Sequence, residues 1–109
     1  MNRTEVQKLA RLLREKYQVI LDQKPLAIGV HRSITEFEGL SKTAIKKIML
    51  FFTHHPKYLK ATAQEGRRYH LDGTVSGHIT KEQMEHAQRM IELQQAKIKA
   101  RLYIKEESA

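Results

Sequence analysis

Eight side chains between positions 41 and 68 have the types and spacing to bind anions: Ser41, Lys42, Lys46, Lys47, Lys57, Tyr58, Arg67 and Arg68. Ser41 stands where a helix should begin, and a serine there accepts from the orphan amides of the first turn. Lys42 follows it directly, and no carboxylate appears until Glu65. A helix start carries partial positive charge, so lysines at that place break the usual preference for acidic residues. Cations beside unpaired amides make a seat for an anion, phosphate above all. For any single lysine the plainer reading is a solvated face. The cluster as a whole favours the anion site.

The second half of the set has a different character. Lys57, Tyr58 and Lys60 interleave cations with an aromatic ring. Tyr58 could stack on a base or bond a terminal sugar, and its alternative role is a core aromatic with a satisfied hydroxyl. Arg67 and Arg68 lead a strand, so the pleat sends one to each face and fixes one guanidinium beside the lysine-rich helix.

Other chemistries lack their parts. There is no Cys, hence no disulfide, thiolate ligand or Cys nucleophile. No Gly-rich phosphate loop, serine elbow or HExxH sequence is present, and the carboxylates are scattered among helix-surface charges. The sequence therefore predicts no enzyme and no cofactor. His54 and His55 are adjacent, so they do not share a helix face, and no further ligands stand at zinc spacing; no metal site is expected. No apolar run approaches the ~20 residues of a membrane span, and the N-terminus lacks a signal peptide's apolar core. A cytoplasmic protein is expected.

The charge is +8 over 109 residues, and its distribution is informative. Residues 1–22 carry five basic and three acidic side chains, residues 80–109 six and five, and residues 23–79 nine and four. Five of the eight excess charges thus lie in the middle. A basic patch of this kind points first to nucleic acid. Membrane attachment fits less well, because the basic helix turns its aromatics to a core face and lacks Trp.

The positioning elements follow from periodicity. Residues 1–109 should form one domain, α+β but predominantly α-helical. Val6, Leu9, Ala10, Leu13, Tyr17 and Ile20 predict a helix over 4–22, with Thr4 and Gln7 as its capping box and Arg14 on a solvated face. Pro25 makes the chain enter the basic core, 23–79, extended. Gly29 is expected to allow close backbone approach, and a short helix over Ser33–Glu38, capped by Ser33, should stop at Gly39. His31 and Arg32 could reach a ligand, and a partly exposed helix start is the plainer reading for both. In the helix after Ser41, Ala44, Ile45, Ile48, Met49, Phe51 and Phe52 share one arc, with Lys42, Lys46 and Thr53 opposite and Lys47 further round. Pro56 opens another helix, to about Ala63. Asp72-Gly73 turns a β-hairpin. Thr80, with Gln83 completing a capping box, begins a long helix to about Glu106, striped by Met84, Ala87, Ile91, Ile98 and Leu102. That C-terminal helix, 80–106, is long enough to overhang the domain.

Charge alone does not separate DNA from RNA. GLSKTAIKKIMLFF could imitate the second helix of a helix-turn-helix, but it contains no Asn, Arg or Gln. A purely lysine polar face suits phosphates better than base edges. A basic adaptor for an acidic protein is the remaining rival.

Three blocks in order, PLAIGVH, LSKTAIKKIMLFFTHHPKYLKA and GRRYHLDGTVSGHIT, resemble the ProQ/FinO family of bacterial RNA-binding proteins. The resemblance runs from about Lys24 to the start of the last helix. It implies about five helices with a β-hairpin before a long C-terminal helix. It also implies an RNA chaperone that recognises small regulatory RNAs at a stem-loop with a single-stranded 3′ tail, acting post-transcriptionally. RNA, including mRNA 3′ ends, is the implied partner; a monomer without a small-molecule substrate is expected. The family's basic helix positions fall on Lys42 and Lys46, its basic-aromatic pair on Lys57 and Tyr58, and its hairpin arginine on Arg68. Ala27 and Leu50 stand where relatives often carry a basic residue. The long basic extensions of some relatives are missing, which implies a minimal member.

Overall fold

The computed structural model describes residues 1–64 and 66–108, with no account of the Ser108 side chain; Glu65 and Ala109 lie outside. The described residues form six helices and one antiparallel hairpin: α1 (Arg3–Lys16), α2 (Gln18–Leu21), α3 (Val30–Glu38), α4 (Lys42–Thr53), α5 (Pro56–Ala63), β1 (Arg67–Tyr69), β2 (Val75–His78) and α6 (Lys81–Ser108).

The predicted N-terminal helix over 4–22 is two helices. Its cap is Asn2, whose Oδ1 accepts from the Glu5 amide at 2.9 Å, so Thr4 lies inside α1 instead of capping it. Tyr17 breaks the run with extended backbone, φ −122° and ψ 112°. The reason lies in the next two residues. On an unbroken helix Val19 would point about 140° away from Val6, off the apolar stripe. The break buries Val19 together with Ile20. It also lets the Tyr17 hydroxyl donate to Glu38 Oε1 at 3.1 Å. Arg14, expected on a solvated face, is half-buried with its guanidinium 5.5 Å and 5.7 Å from the ring centres of Phe51 and Phe52.

The chain leaves α2 with Gln23 at φ 55°. The Gln23 amide donates to the Ile20 carbonyl and the Lys24 amide to the Val19 carbonyl. That pair of bonds is a Schellman ending, and Pro25 follows it as expected of a residue unable to continue the helix. Residues 25–27 then run extended and parallel to β1: the Tyr69 amide donates to the Pro25 carbonyl at 2.9 Å and the Ala27 amide to the Tyr69 carbonyl at 2.8 Å. The predicted Ser33 start is three residues late. Helix α3 begins at Val30 after Gly29, whose φ of 83° is the reason glycine stands there; a Cβ would meet nothing within 4 Å, so close approach is not. Gly39, at φ 63°, ends α3 and donates to the Thr35 carbonyl.

Ala44, Ile45, Ile48 and Phe52 of α4 are buried, with Met49 and Phe51 half-buried beside them. Ile45, Ile48, Met49, Phe51 and Phe52 join Val6, Ala10 and Leu13 of α1, Val30 and Ile34 of α3, and Leu71 in the main core. A smaller cluster joins Leu59 on α5 to Ala87 and Ile91 on α6. The α6 stripe is covered only in its first half. Ile98 and Leu102, expected in that stripe, are 53% and 57% exposed. The eight residues of α5 span about 12 Å against about 42 Å for α6, so α5 cannot reach them.

In the hairpin, Arg67 pairs with His78, Arg68 with Gly77 and Tyr69 with Val75, with a bulge between Arg68 and Tyr69. Gly73 supplies the positive φ of the turn, and Asp72 Oδ1 accepts from the Thr74 amide and hydroxyl. Thr80 and Gln83 form the reciprocal capping box: the Gln83 amide donates to Thr80 Oγ1 at 3.2 Å and the Thr80 amide to Gln83 Oε1 at 3.0 Å.

Candidate nucleic-acid interface

Helices α3 and α4 enclose a groove of about 880 Å³. Arg32, Thr35 and Glu36 line it from α3; Lys42, Lys46, Leu50 and Thr53 line it from α4. At its end the Ser41 hydroxyl accepts from the Ala44 amide at 3.1 Å, leaving the first-turn amides of Lys42 and Thr43 pointing out of the helix. The charged lining is Arg32, Lys42 and Lys46 against Glu36, a formal excess of two positive charges.

A second cavity, about 590 Å³, adjoins the groove through His31, Met49 and Thr53, which line both. Tyr58, Leu59, Thr62 and Arg68 form part of its wall, and Gln83, His86, Ala87 and Met90 of α6 another. Arg68 is only 9% exposed. Its Nη1 donates to the Leu26 carbonyl at 2.8 Å and its Nε to Gln83 Oε1 at 3.1 Å. Gln83 Oε1 therefore serves both the α6 cap and the arginine. Among the described residues Nη2 has no protein acceptor. The Arg68 guanidinium is fixed by α6 and residue 26, with no hydrogen bond to the lysine-rich helix among the described residues.

Tyr58 is 7% exposed, and its hydroxyl accepts from the Leu26 amide at 3.1 Å. Its ring is packed in the main core. Stacking on a base is closed to a ring so enclosed, while the hydroxyl retains a proton to donate.

The structure thus brings Lys42, Lys46, Tyr58 and Arg68 to one continuous depression. The other four candidates are not among the residues lining either cavity. Ser41 serves as the α4 cap. Lys47 turns toward the start of α1, its Nζ donating to the Met1 carbonyl at 2.7 Å. Lys57 and Arg67 are exposed and line neither cavity. His55 caps α5 by accepting from the Lys57 amide at 3.2 Å.

A profile of the ProQ/FinO family matches residues 3–102. The chain belongs to the ProQ/FinO family. It is 33% identical over 86 residues to the RNA chaperone ProQ of Pseudoalteromonas atlantica, an alignment covering 75% of this chain and 40% of that protein. With the RNA chaperone ProQ of Shewanella baltica it shares 32% over 84 residues, 73% of this chain and 40% of the other. The chain therefore spans about two fifths of the length of the curated relatives it matches. Among solved structures, NMB1681 of Neisseria meningitidis MC58, a FinO-like RNA chaperone, superposes with a TM-score of 0.71 at 28% identity, over 80% of this chain and 94% of that one. A ProQ homologue from Legionella pneumophila gives 0.53 at 25% identity, over 62% and 61%.

Two apolar residues also line this depression. Leu50, 47% exposed, lies in the groove itself, and Ala27, buried, lines the second cavity. Sequence reading gave Arg32, which faces the groove across from the lysines, only the secondary role of a residue that could reach a ligand, and passed over His86. The signal for His86 was available: Gln83, His86, Ala87 and Met90 recur at helical spacing, and all four line the cavity.

Proposed function

We propose that this chain is an RNA-binding domain of the RNA-chaperone type, recognising a stem-loop followed by a single-stranded 3′ tail on small regulatory RNAs and acting post-transcriptionally. In this reading it works as a cytoplasmic monomer. The observation that carries it is the continuity of the basic α3–α4 groove with the Arg68–Tyr58 cavity. Arg32, Lys42 and Lys46 would follow the A-form backbone by shape and charge. The 3′ tail would enter at the α4 start and end at Arg68 and the Tyr58 hydroxyl. Specificity then comes from the junction between duplex and single strand, with little reading of base edges. The RNA-chaperone names of its relatives support the assignment.

The test is the affinity of a labelled stem-loop with a short U-rich 3′ tail against the same RNA without it, at two salt concentrations. Phosphate contacts make the affinity fall with salt. Loss of affinity on tail removal is the expected outcome. Equal binding of both would reduce the site to a generic duplex binder, and equal competition by duplex DNA would favour a helix-turn-helix-like regulator.

A further inference from the structure

We infer that His31, His54 and His86 are proton-dependent RNA contacts, so that RNA affinity rises as pH falls through the histidine range. The inference rests on the RNA-binding reading of the same depression. The three residues come from three separate elements: α3, the residue that ends α4, and α6. All line the cavity that Arg68 and Tyr58 help to wall, and all are exposed. The other three histidines lie elsewhere: His55 caps α5, and His70 and His78 belong to the hairpin.

The other titratable or charged groups lining this cavity are Arg68, Glu82 and Tyr58. Across the shared rim, the groove adds Arg32, Glu36, Lys42 and Lys46. With neutral histidines, Arg68 and Glu82 cancel and the cavity lining carries no net formal charge. Protonating all three makes it +3. Histidine is the side chain whose charge ordinarily changes between about pH 5 and 8. A phosphate within about 4–6 Å favours the protonated form. RNA binding and proton uptake at these residues are therefore linked, and each promotes the other. The lysines and arginines supply a charge that does not vary in this range; the histidines add one that does, at the cavity assigned to the tail.

The test compares the affinity of the tailed stem-loop at about pH 5.8 and about pH 7.8, over a series of salt concentrations matched between the two pH values, for wild type, the triple variant H31Q/H54Q/H86Q and Lys46→Ala. The wild type should bind about tenfold or more tightly at the lower pH, with a log–log salt slope steeper by about 0.7 for each added contact. The triple variant should lose both effects, and its thermal unfolding curve confirms that it is folded. A folded triple variant that keeps the wild-type pH dependence overturns the proposal. So does a wild type indifferent to pH whose binding is still weakened by Lys46→Ala, a result that leaves the site reading standing. Binding untouched by Lys46→Ala at either pH removes the site reading, and the proposal with it.

Discussion

Arg68 and Leu26, 42 positions apart, are joined by a hydrogen bond of 2.8 Å from the guanidinium Nη1 to the backbone carbonyl. This contact ties the hairpin to the extended segment beside it and makes Arg68 part of the fold as well as of the candidate site. Arg68→Ala leaves a buried carbonyl unpaired and frees Gln83. It should lower the unfolding free energy by about 1–3 kcal/mol, measured by urea denaturation, besides weakening RNA binding. Wild-type stability in this variant would show that the arginine serves the ligand alone.

Leu26 meets Tyr58 through its other backbone group, its amide donating to the hydroxyl. Tyr58→Phe removes that acceptor and keeps the ring. An unpaired buried amide costs about 1–3 kcal/mol, so the urea midpoint should fall by a corresponding amount. A midpoint unchanged from wild type would mean that the amide finds another partner.

Lys46 and Lys47 are neighbours with opposite outlooks. Lys46 faces the groove, whereas Lys47 reaches the Met1 carbonyl. Lys46→Ala should weaken RNA binding by about 1 kcal/mol or more, as loss of a charge-assisted contact does. Lys47→Ala should weaken it clearly less, while neither variant changes the unfolding free energy by more than about 0.5 kcal/mol. Filter binding at one fixed salt concentration decides; equal losses would argue that overall charge, and not the groove, governs affinity.

Glu38 gives a pH dependence of stability. The bond from Lys16 holds its carboxyl below the usual carboxylate range, aided by the Tyr17 hydroxyl and opposed by partial burial. A carboxyl with a lowered folded value contributes stability above its unfolded value, near pH 4.3, and loses it as pH falls through the lower folded value. Acid unfolding curves of wild type and Glu38→Gln should therefore differ above about pH 4.3 and converge below it. The difference should be small, because Lys16 is 57% exposed and such surface pairs are weak. Parallel curves across the whole range would remove Glu38 from the acid transition.

Where a structural feature depends on neighbours in sequence, it was legible. Ser41 capping α4, Pro56 opening α5, the Gly39 stop, the Asp72-Gly73 turn and the Thr80–Gln83 box all involve partners within a few residues, and all stand where the sequence places them. Where the feature depends on competition for a shared core, local patterns misled. An unbroken stripe predicted one N-terminal helix, but burying Val19 as well as Ile20 required the break at Tyr17.

The basic residues divide in the same way. Composition by itself determined that positive charge concentrates in residues 23–79, since that is a count, and the quoted blocks carried the family resemblance. Only the tertiary structure decided which of those charges share a depression. A helix position fixes the direction of a side chain but not what stands opposite it. For Lys46 that is α3, for Lys47 the start of α1, and for Arg68 the Leu26 carbonyl and Gln83. Those partners lie up to 46 positions away, and the packing of the whole chain brings them together.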